Sequence, residues 1–251
     1  MNSPSQIPRE IFQTWKTRDV PEHWKESQLS IVRNLPEWKY TLFTDEDNRE
    51  FVKTHFPDFL PYYDAFPYNI QRADAIRYMY LYINGGVYMD LDIAIQKSID
   101  DLLGDEDFYL VPSGNVSSSF TNSFMISKPR VSFWLDVIEE MKKPVSSYSL
   151  TKHFIVMNST GPMMLTRVVK RYGKKFGYLP VQKIMPCNVC NVENCSTEDA
   201  YTKNLLGQSW CAIDSKILNF LLCKWKKLLF IIISFLISLI LFMIIRKYKI
   251  I

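Results

Sequence analysis

Asp90 and Asp92 lie in the stretch from Ile83 to Ile95, Ile-Asn-Gly-Gly-Val-Tyr-Met-Asp-Leu-Asp-Ile-Ala-Ile. Val87, Met89, Leu91, Ile93 and Ile95 alternate with Tyr88, Asp90, Asp92 and Ala94, and this period predicts a half-buried strand. Residues i and i+2 of a strand share a face, so both carboxylates are expected to point the same way. Two adjacent carboxylates repel unless a proton or a cation lies between them. Mg²⁺ or Mn²⁺, held by one or two carboxylates and the phosphates of a substrate, removes that repulsion. The plain alternative is a solvated edge strand that carries two aspartates. Just upstream, Asp74 and Arg77 are three residues apart on a helical pattern, so they share a face. They read either as an ordinary salt bridge or as a pair directed at a substrate.

Several elements must position these groups. Ile70, Ala73, Ile76, Arg77, Tyr80, Leu81 and Ile83 recur at helical spacing, and Gly85-Gly86 ends that helix with a tight turn into the strand. Ile7 to Phe12 reads as a first strand that delivers Gln13, Thr14 and Trp15 at its C-terminal end. Ligands of open α/β sheets collect at such ends. Trp15 there either stacks on a nucleotide base or caps the core.

The pattern from Pro21 to Leu35 is helical, with Trp24, Leu29, Ile31 and Val32 as its apolar positions. Trp38 to Thr44 alternates as a second strand, and Thr44 is placed to cap a helix running to about His55. Strands follow at Phe108–Val111 and from Asn122, and an amphipathic helix at Phe133–Met141. A turn over Asn158–Pro162 opens a helix through Val169, and a late strand runs from Gly177 to Ile184. This alternation over about 210 residues predicts an α/β sandwich.

A chain of 251 residues with 47% hydrophobic content suits one sizeable domain with a buried core. The formal charge of +4 is concentrated around one apolar run, flanked by Lys224, Lys226 and Lys227 before it and Arg246, Lys247 and Lys249 after it. The remainder is roughly neutral and carries no basic stripe, so no nucleic-acid partner is expected. The run itself, residues 228–245, is 18 residues long with only two serines, enough for about 27 Å of hydrocarbon. A single transmembrane helix is expected there, and no signal-peptide pattern precedes the domain. The basic residues balance on the two sides, so orientation stays open. Cys187, Cys190, Cys195 and Cys211 allow a structural zinc or two disulfides. Asn115, Asn158 and Asn194 begin glycosylation acceptor triplets, which matter only for a lumenal domain.

Taken together, Ile7-Pro-Arg-Glu-Ile-Phe-Gln-Thr-Trp-Lys16, Arg72-Ala-Asp-Ala-Ile-Arg-Tyr78, Gly85-Gly-Val-Tyr-Met-Asp-Leu-Asp92, Asn122-Ser-Phe-Met and Ser159-Thr-Gly-Pro162 resemble one family. It is family 32 of the Asp-x-Asp glycosyltransferases, which includes fungal initiating α-1,6-mannosyltransferases and inositol phosphorylceramide mannosyltransferases. More distantly, the chain resembles the glucosylating domains of large clostridial toxins.

The resemblance implies a GT-A type, Rossmann-like nucleotide-sugar-binding fold and retaining transfer of a sugar. It assigns Asp90 and Asp92 to Mn²⁺ or Mg²⁺, with Asp92 the favoured direct ligand, and places Asp74 and Arg77 at the donor sugar and phosphate. Gln13, Thr14 and Trp15 would flank the nucleotide, and Ser209 and Trp210 would meet the diphosphate. One departure is Asn204, which stands where the family often carries His; it is a weaker oxygen ligand to the metal.

The expectation is therefore a catalytic domain at residues 1–216 and a membrane anchor at 217–251. The activity expected by resemblance is a metal-dependent transferase that takes mannose from GDP-mannose, or second a hexose from a UDP-sugar, to a glycan or glycolipid acceptor. The expected location is a Golgi- or ER-type or host-cell internal membrane, side undetermined. A degenerate nucleotide-sugar- or glycan-binding protein is the first rival. An aspartyl-phosphate phosphatase is the second, but this chain lacks the first-strand placement and following Thr such enzymes use.

Overall fold

The computed structural model describes residues 6–113, 119–145, 151–187, 190, 195–207 and 209–248. The chain forms two compact units, Met1–Trp210 and Cys211–Ile251.

The first unit is built on a six-stranded mixed sheet in the order β2-β1-β3-β6-β5-β7. Its strands are β1 (Glu10–Thr14), β2 (Lys39–Phe43), β3 (Gly86–Met89), β5 (Phe108–Pro112), β6 (Phe120–Ser127) and β7 (Gly177–Tyr178). β1 runs parallel to both β2 and β3, whereas β6 is antiparallel to β3 and β5. Both faces of the sheet are covered, so β1 and β3 are buried along almost their whole length. Phe12, Tyr88, Leu110 and Met125 face one apolar cluster; Ile11, Val87, Met89 and Ile126 face the other.

The first cluster is closed by α4 (Asn69–Asn84), α5 (Phe133–Met141) and α7 (Pro162–Tyr172). α4 is buried from Ala73's neighbour Asp74 through Leu81, so its polar side chains are enclosed by protein rather than turned to water. Gly85 and Gly86 end it with φ of +70° and +89°. A Cβ on either would lie 2.7 Å from backbone, Pro129 N or Glu10 O, so the pair is required by both conformation and space. α2 (Asp45–His55) starts at a capping box in which the Asp47 N–H donates to Thr44 Oγ1 at 3.2 Å and the Thr44 N–H to Asp47 Oδ2 at 2.8 Å.

The structure breaks the single strand expected over 87–95. β3 ends at Met89, Asp90 to Asp92 form a turn closed by the Ile93 N–H on Asp90 O at 3.1 Å, and β4 (Ile93–Ile95) joins a separate two-stranded sheet with β8 (Thr202–Asn204). Packing supplies the reason. Leu91 in the turn is buried against Val20 and Trp24, and the free edge of β4 is taken up by side chains of α1 (Lys25–Asn34). Ser27 Oγ donates to Ile93 O, the Ile95 N–H donates to Ser30 Oγ at 2.8 Å, and Asn34 Nδ2 donates to Ile95 O at 2.8 Å. The inner face of α1 is therefore largely polar, and Leu29 and Val32, expected inside, are 57% and 67% exposed.

Other departures are local. The late strand keeps only Gly177–Tyr178 before α8 (Val181–Ile184), and α6 (Lys152–Ser159) stands where a turn at Asn158 was expected. Asn158 donates to Phe154 O and accepts from Arg167. Asn115 and Asn194 lie outside the described residues. A disulfide joins Cys187 to Cys195, which removes both thiols from the four-cysteine zinc alternative.

The second unit is α9 (Ile213–Tyr248), with exposed apolar side chains such as Phe230, Phe235 and Phe242. Among the described residues no helix is long and apolar enough to cross a membrane. The side chains of 228, 231, 244 and 245, within the expected span, lie outside the described residues, so the structure does not establish that span.

Candidate active site

Thr14, Asp45 and Asp90 all fall at or just past the C-terminal ends of the parallel strands β1, β2 and β3, and all line one cavity of about 600 Å³. That volume lies within the usual range for a small-molecule site. Trp15, Asp74, Arg77, Asp92, Asn204 and Trp210 also line it, as does Ser209. The turn thus achieves what the expected strand would have done: it directs both aspartates to one place.

The two carboxylates differ in their surroundings. Asp90 Oδ1 accepts from Tyr88 OH at 2.6 Å and pairs with Arg77 Nη1 at 3.1 Å, and the Asp90 N–H donates to Ser123 O at 2.8 Å. Among the described residues Asp92 has no cationic partner in direct contact. Burial and the neighbouring Asp90 charge push its pKa up to about 7, against the opposing help of backbone N–H groups including that of Gly207. A half-buried carboxylate that holds its charge this reluctantly beside a second carboxylate fits a divalent cation, whose binding would relieve both penalties.

Gly207 leaves the room that Asp92 occupies. A Cβ there would lie 2.4 Å from Asp92 Oδ2. Gly207→Ala is expected to displace the carboxylate and weaken Mn²⁺ binding by at least about tenfold, at a cost of about 1–3 kcal/mol in stability. A Mn²⁺ titration followed by thermal melting checks it, and unchanged Mn²⁺ affinity would contradict the role of this gap.

Arg77 is 4% exposed and is held from several directions. Its guanidinium reaches Asp74 Oδ1 at 3.0 Å, Asp90 Oδ1 at 3.1 Å and Asn122 O at 2.9 Å, and lies 4.5 Å from the centre of the Tyr88 ring. Burial works against its charge, but Tyr88, Asp90 and Asp74 outweigh that and keep it ionised. Asp74 in turn accepts from Asn122 Nδ2 at 3.0 Å and Thr160 Oγ1 at 2.9 Å, and Tyr78 OH donates to Thr160 O at 2.8 Å. Burial raises the Asp74 pKa against these partners. The Asp74–Arg77 pair is therefore both a salt bridge and part of the cavity wall, and one arm of the Arg77 fork orients Asp90 while the rest is held by Asp74, Asn122 O and Ala73 O.

Gln13 is not at the cavity surface. It is fully buried, donates to Ser27 Oγ at 2.9 Å and Asp90 O at 3.3 Å, and accepts from Tyr40 OH at 2.9 Å. β1 side chains alternate, so Gln13 faces the opposite side from Thr14 and supports the turn from behind. Asn204 faces the cavity, with Oδ1 accepting from the Leu206 N–H at 2.6 Å. Among the described residues no three His, Cys, Asp or Glu side chains gather as a metal site. Asp90 and Asp92 are the two carboxylates that the turn brings side by side at the cavity.

Sequence reasoning did not select Asn122, Thr160, Lys152 or Asp45 as site residues. Asn122 and Thr160 stood in matched motifs, which was a usable signal. Lys152 Nζ donates to Trp210 O at 2.8 Å and Asp45 approaches from α2, and neither proximity is visible in one dimension.

A mixed sheet whose parallel strands end at a crevice with paired carboxylates and a buried arginine defines a GT-A-like α/β architecture. The sequence profile described as "Glycosyltransferase sugar-binding region containing DXD motif" matches residues 21–109. The chain belongs to the family of DXD glycosyltransferases that includes the inositol phosphoceramide mannosyltransferases. Inositol phosphoceramide mannosyltransferase 1 of Schizosaccharomyces pombe is 32% identical over 89% of this chain and 68% of its own length. Inositol phosphoceramide mannosyltransferase 2 of the same yeast is 39% identical over 67% of this chain and 48% of its own length. The chain thus spans about half the length of several curated relatives it matches. Among solved structures, the PaToxG glycosyltransferase shares the fold, with a TM-score of 0.53 at 16% identity over 68% of this chain and 71% of its own.

Proposed function

We propose that this protein is a metal-dependent, retaining glycosyltransferase that moves a hexose, mannose in the first instance, from a nucleotide sugar to a glycan or glycolipid acceptor. The observation that carries the reading is the turn that brings Asp90 and Asp92 together at the strand ends, with Asp92 too buried and too close to Asp90 to hold its charge easily. A phosphoceramide headgroup is the acceptor class that the relatives' names suggest.

In the transfer, the bond from the sugar C1 to the diphosphate oxygen breaks and a bond from C1 to an acceptor hydroxyl forms on the same face. The hydroxyl proton passes to the departing diphosphate. Mn²⁺ or Mg²⁺ at Asp90 and Asp92 would supply Lewis-acid neutralisation of the leaving group's charge. Arg77 fixes Asp90, Asp74 and Asn122 O hold Arg77, and Thr160 and Asn122 hold Asp74, so the Asp90 carboxylate is set before substrate arrives. Asn204 is the neutral oxygen nearest in kind to a third ligand. Thr14 and Trp15 would flank the nucleotide, and Ser209 and Trp210 the diphosphate. Residues 1–216 would carry catalysis and 217–251 would anchor the protein to an internal membrane through 228–245.

The test uses the full chain in detergent micelles with Mn²⁺, GDP-mannose or a UDP-hexose, and inositol phosphoceramide. Radiolabelled product that requires Mn²⁺ supports the proposal. Nucleotide-sugar binding without transfer or hydrolysis would instead favour a degenerate binding protein.

A further inference from the structure

Among the described residues three cations line the cavity, and two of them already face acids. Arg77 is held by Asp74 and Asp90. Lys16, over the Trp15 ring at the end of β1, lies in the field of Asp45. Lys152, the first residue of α6, differs. Its Nζ donates to Trp210 O at 2.8 Å and stands 5.5 Å from the centre of the Tyr68 ring. Among the described residues no carboxylate pairs with it. An ammonium group carries three N–H donors, so two are left for a ligand.

The wall on this side supplies no acid to answer that charge. Val156, one turn further along α6, lines the cavity with Met157 and with Pro162 at the start of α7, and none of the three is charged. A lysine on an open surface keeps its charge in water. This one is half-buried, and the Trp210 carbonyl and the Tyr68 ring hold it against the cavity. A cation so placed suits an anion that a ligand brings with it.

The same-face transfer proposed above says where that anion would come from. The attacking hydroxyl approaches from the side on which the diphosphate leaves, so the acceptor headgroup lies next to the diphosphate. It also lies next to the Trp210 backbone that Lys152 holds. An acceptor with a phosphodiester close to its hydroxyls sets a second anion against the first, and a half-buried site screens that repulsion poorly. A cation on the acceptor side offsets it. A neutral glycan brings no such charge and has no use for the cation. We propose that Lys152 binds the phosphodiester of the acceptor, and so makes a phosphate-bearing headgroup the preferred acceptor over a neutral glycan. The proposal rests on the glycosyltransferase reading above and adds to it which acceptor the site prefers and the residue that selects it.

Initial rates of the full chain in detergent micelles, with Mn²⁺ and GDP-mannose or a UDP-hexose, test it against two acceptors, inositol phosphoceramide and the neutral methyl α-mannoside. Calorimetry with GDP and UDP reads the donor side of the same site. Lys152→Gln is expected to raise the KM for inositol phosphoceramide by about 10- to 100-fold, the range for a lost hydrogen bond to a charged group. Nucleotide affinity should stay within about twofold. Lys152→Arg keeps the charge and should recover most of the loss, and added salt should raise the acceptor KM of the wild type more than that of Lys152→Gln. Nucleotide affinity that falls as much as the acceptor KM rises would assign Lys152 to the donor diphosphate and overturn the proposal. Equal losses in both variants, with lowered melting midpoints, would make Lys152 only a structural tie to Trp210 and also overturn it. An unchanged acceptor KM in Lys152→Gln, or wild-type preference for methyl α-mannoside, would overturn it while the transferase reading stands. No transfer by the wild type to either acceptor would remove both.

Discussion

Asp92→Asn is expected to lower sugar transfer by at least about 10²-fold, the loss typical when one preorganised charge-stabilising group is removed, and to make the metal-free protein more stable. The two effects share a cause. In the folded protein the Asp92 pKa is pushed up to about 7 from an ordinary 3.8, by burial first and by Asp90 second. Between those values the folded chain holds a proton that the unfolded chain has released. Stability of the metal-free wild type therefore falls as pH rises through that window, and the penalty is complete above about pH 7. The full shift corresponds to roughly 4 kcal/mol. Partial access of water to the site reduces this, and a gain of about 1–3 kcal/mol for Asp92→Asn at pH 8 is the expected size. Urea unfolding of both proteins from pH 5 to 8 reads it directly. The wild type should approach the variant's stability at pH 5 and fall behind at pH 8, and Mn²⁺ should stabilise the wild type most at the higher pH. A variant that is less stable than wild type at pH 8 without metal would contradict the electrostatic account of this site.

The second large effect is expected at Arg77. Arg77→Met removes the cation that Asp74 and Asp90 share, and Asp74 is 4% exposed. Breaking a buried pair from one side costs about 3–5 kcal/mol, because the remaining charge keeps its desolvation penalty without compensation. Arg77→Lys restores the charge but not the planar fork that reaches Asp74, Asp90 and Asn122 O together. It should fall between wild type and Arg77→Met in the denaturant midpoint. Activity should drop in both, since the Asp90 carboxylate loses its orienting partner. The contrasting result, full stability with Arg77→Met, would mean that Arg77 contributes mainly to the ligand and little to the fold. Adding Asp74→Asn to Arg77→Met should recover part of the stability, since it removes one of the two stranded charges.

Much of the scaffold around these residues was legible in one dimension. The α4 helix, the Gly85-Gly86 turn, the Thr44 cap and helix α5 follow from periodicity and end signals, because each is decided by contacts within a few residues. α1 buries a different face from the one its apolar residues suggest: Ser27, Ser30 and Ile31 are inside, since β4 takes hydrogen-bonding partners along its free edge. Gln13 lies one layer behind the cavity, because adjacent residues on β1 face opposite sides and Thr14, not Gln13, opens to it.

By itself the sequence determined which residues could do chemistry here, because carboxylate pairs, glycine turns and helix caps are properties of residue type and short spacing. It also carried enough motif for the family to be recognised. Tertiary structure alone decided how those residues are used. The turn at Asp90–Asp92 exists because Leu91 has Val20 and Trp24 to pack against, and because α1 takes the edge of β4. Asp92 differs from Asp90 because Arg77, 13 and 15 residues upstream of the two aspartates, reaches only Asp90. Asp45 meets the cavity because β1 and β2 end side by side. Burial and electrostatic coupling depend on distance through space, and a chain read along its length contains no such distances.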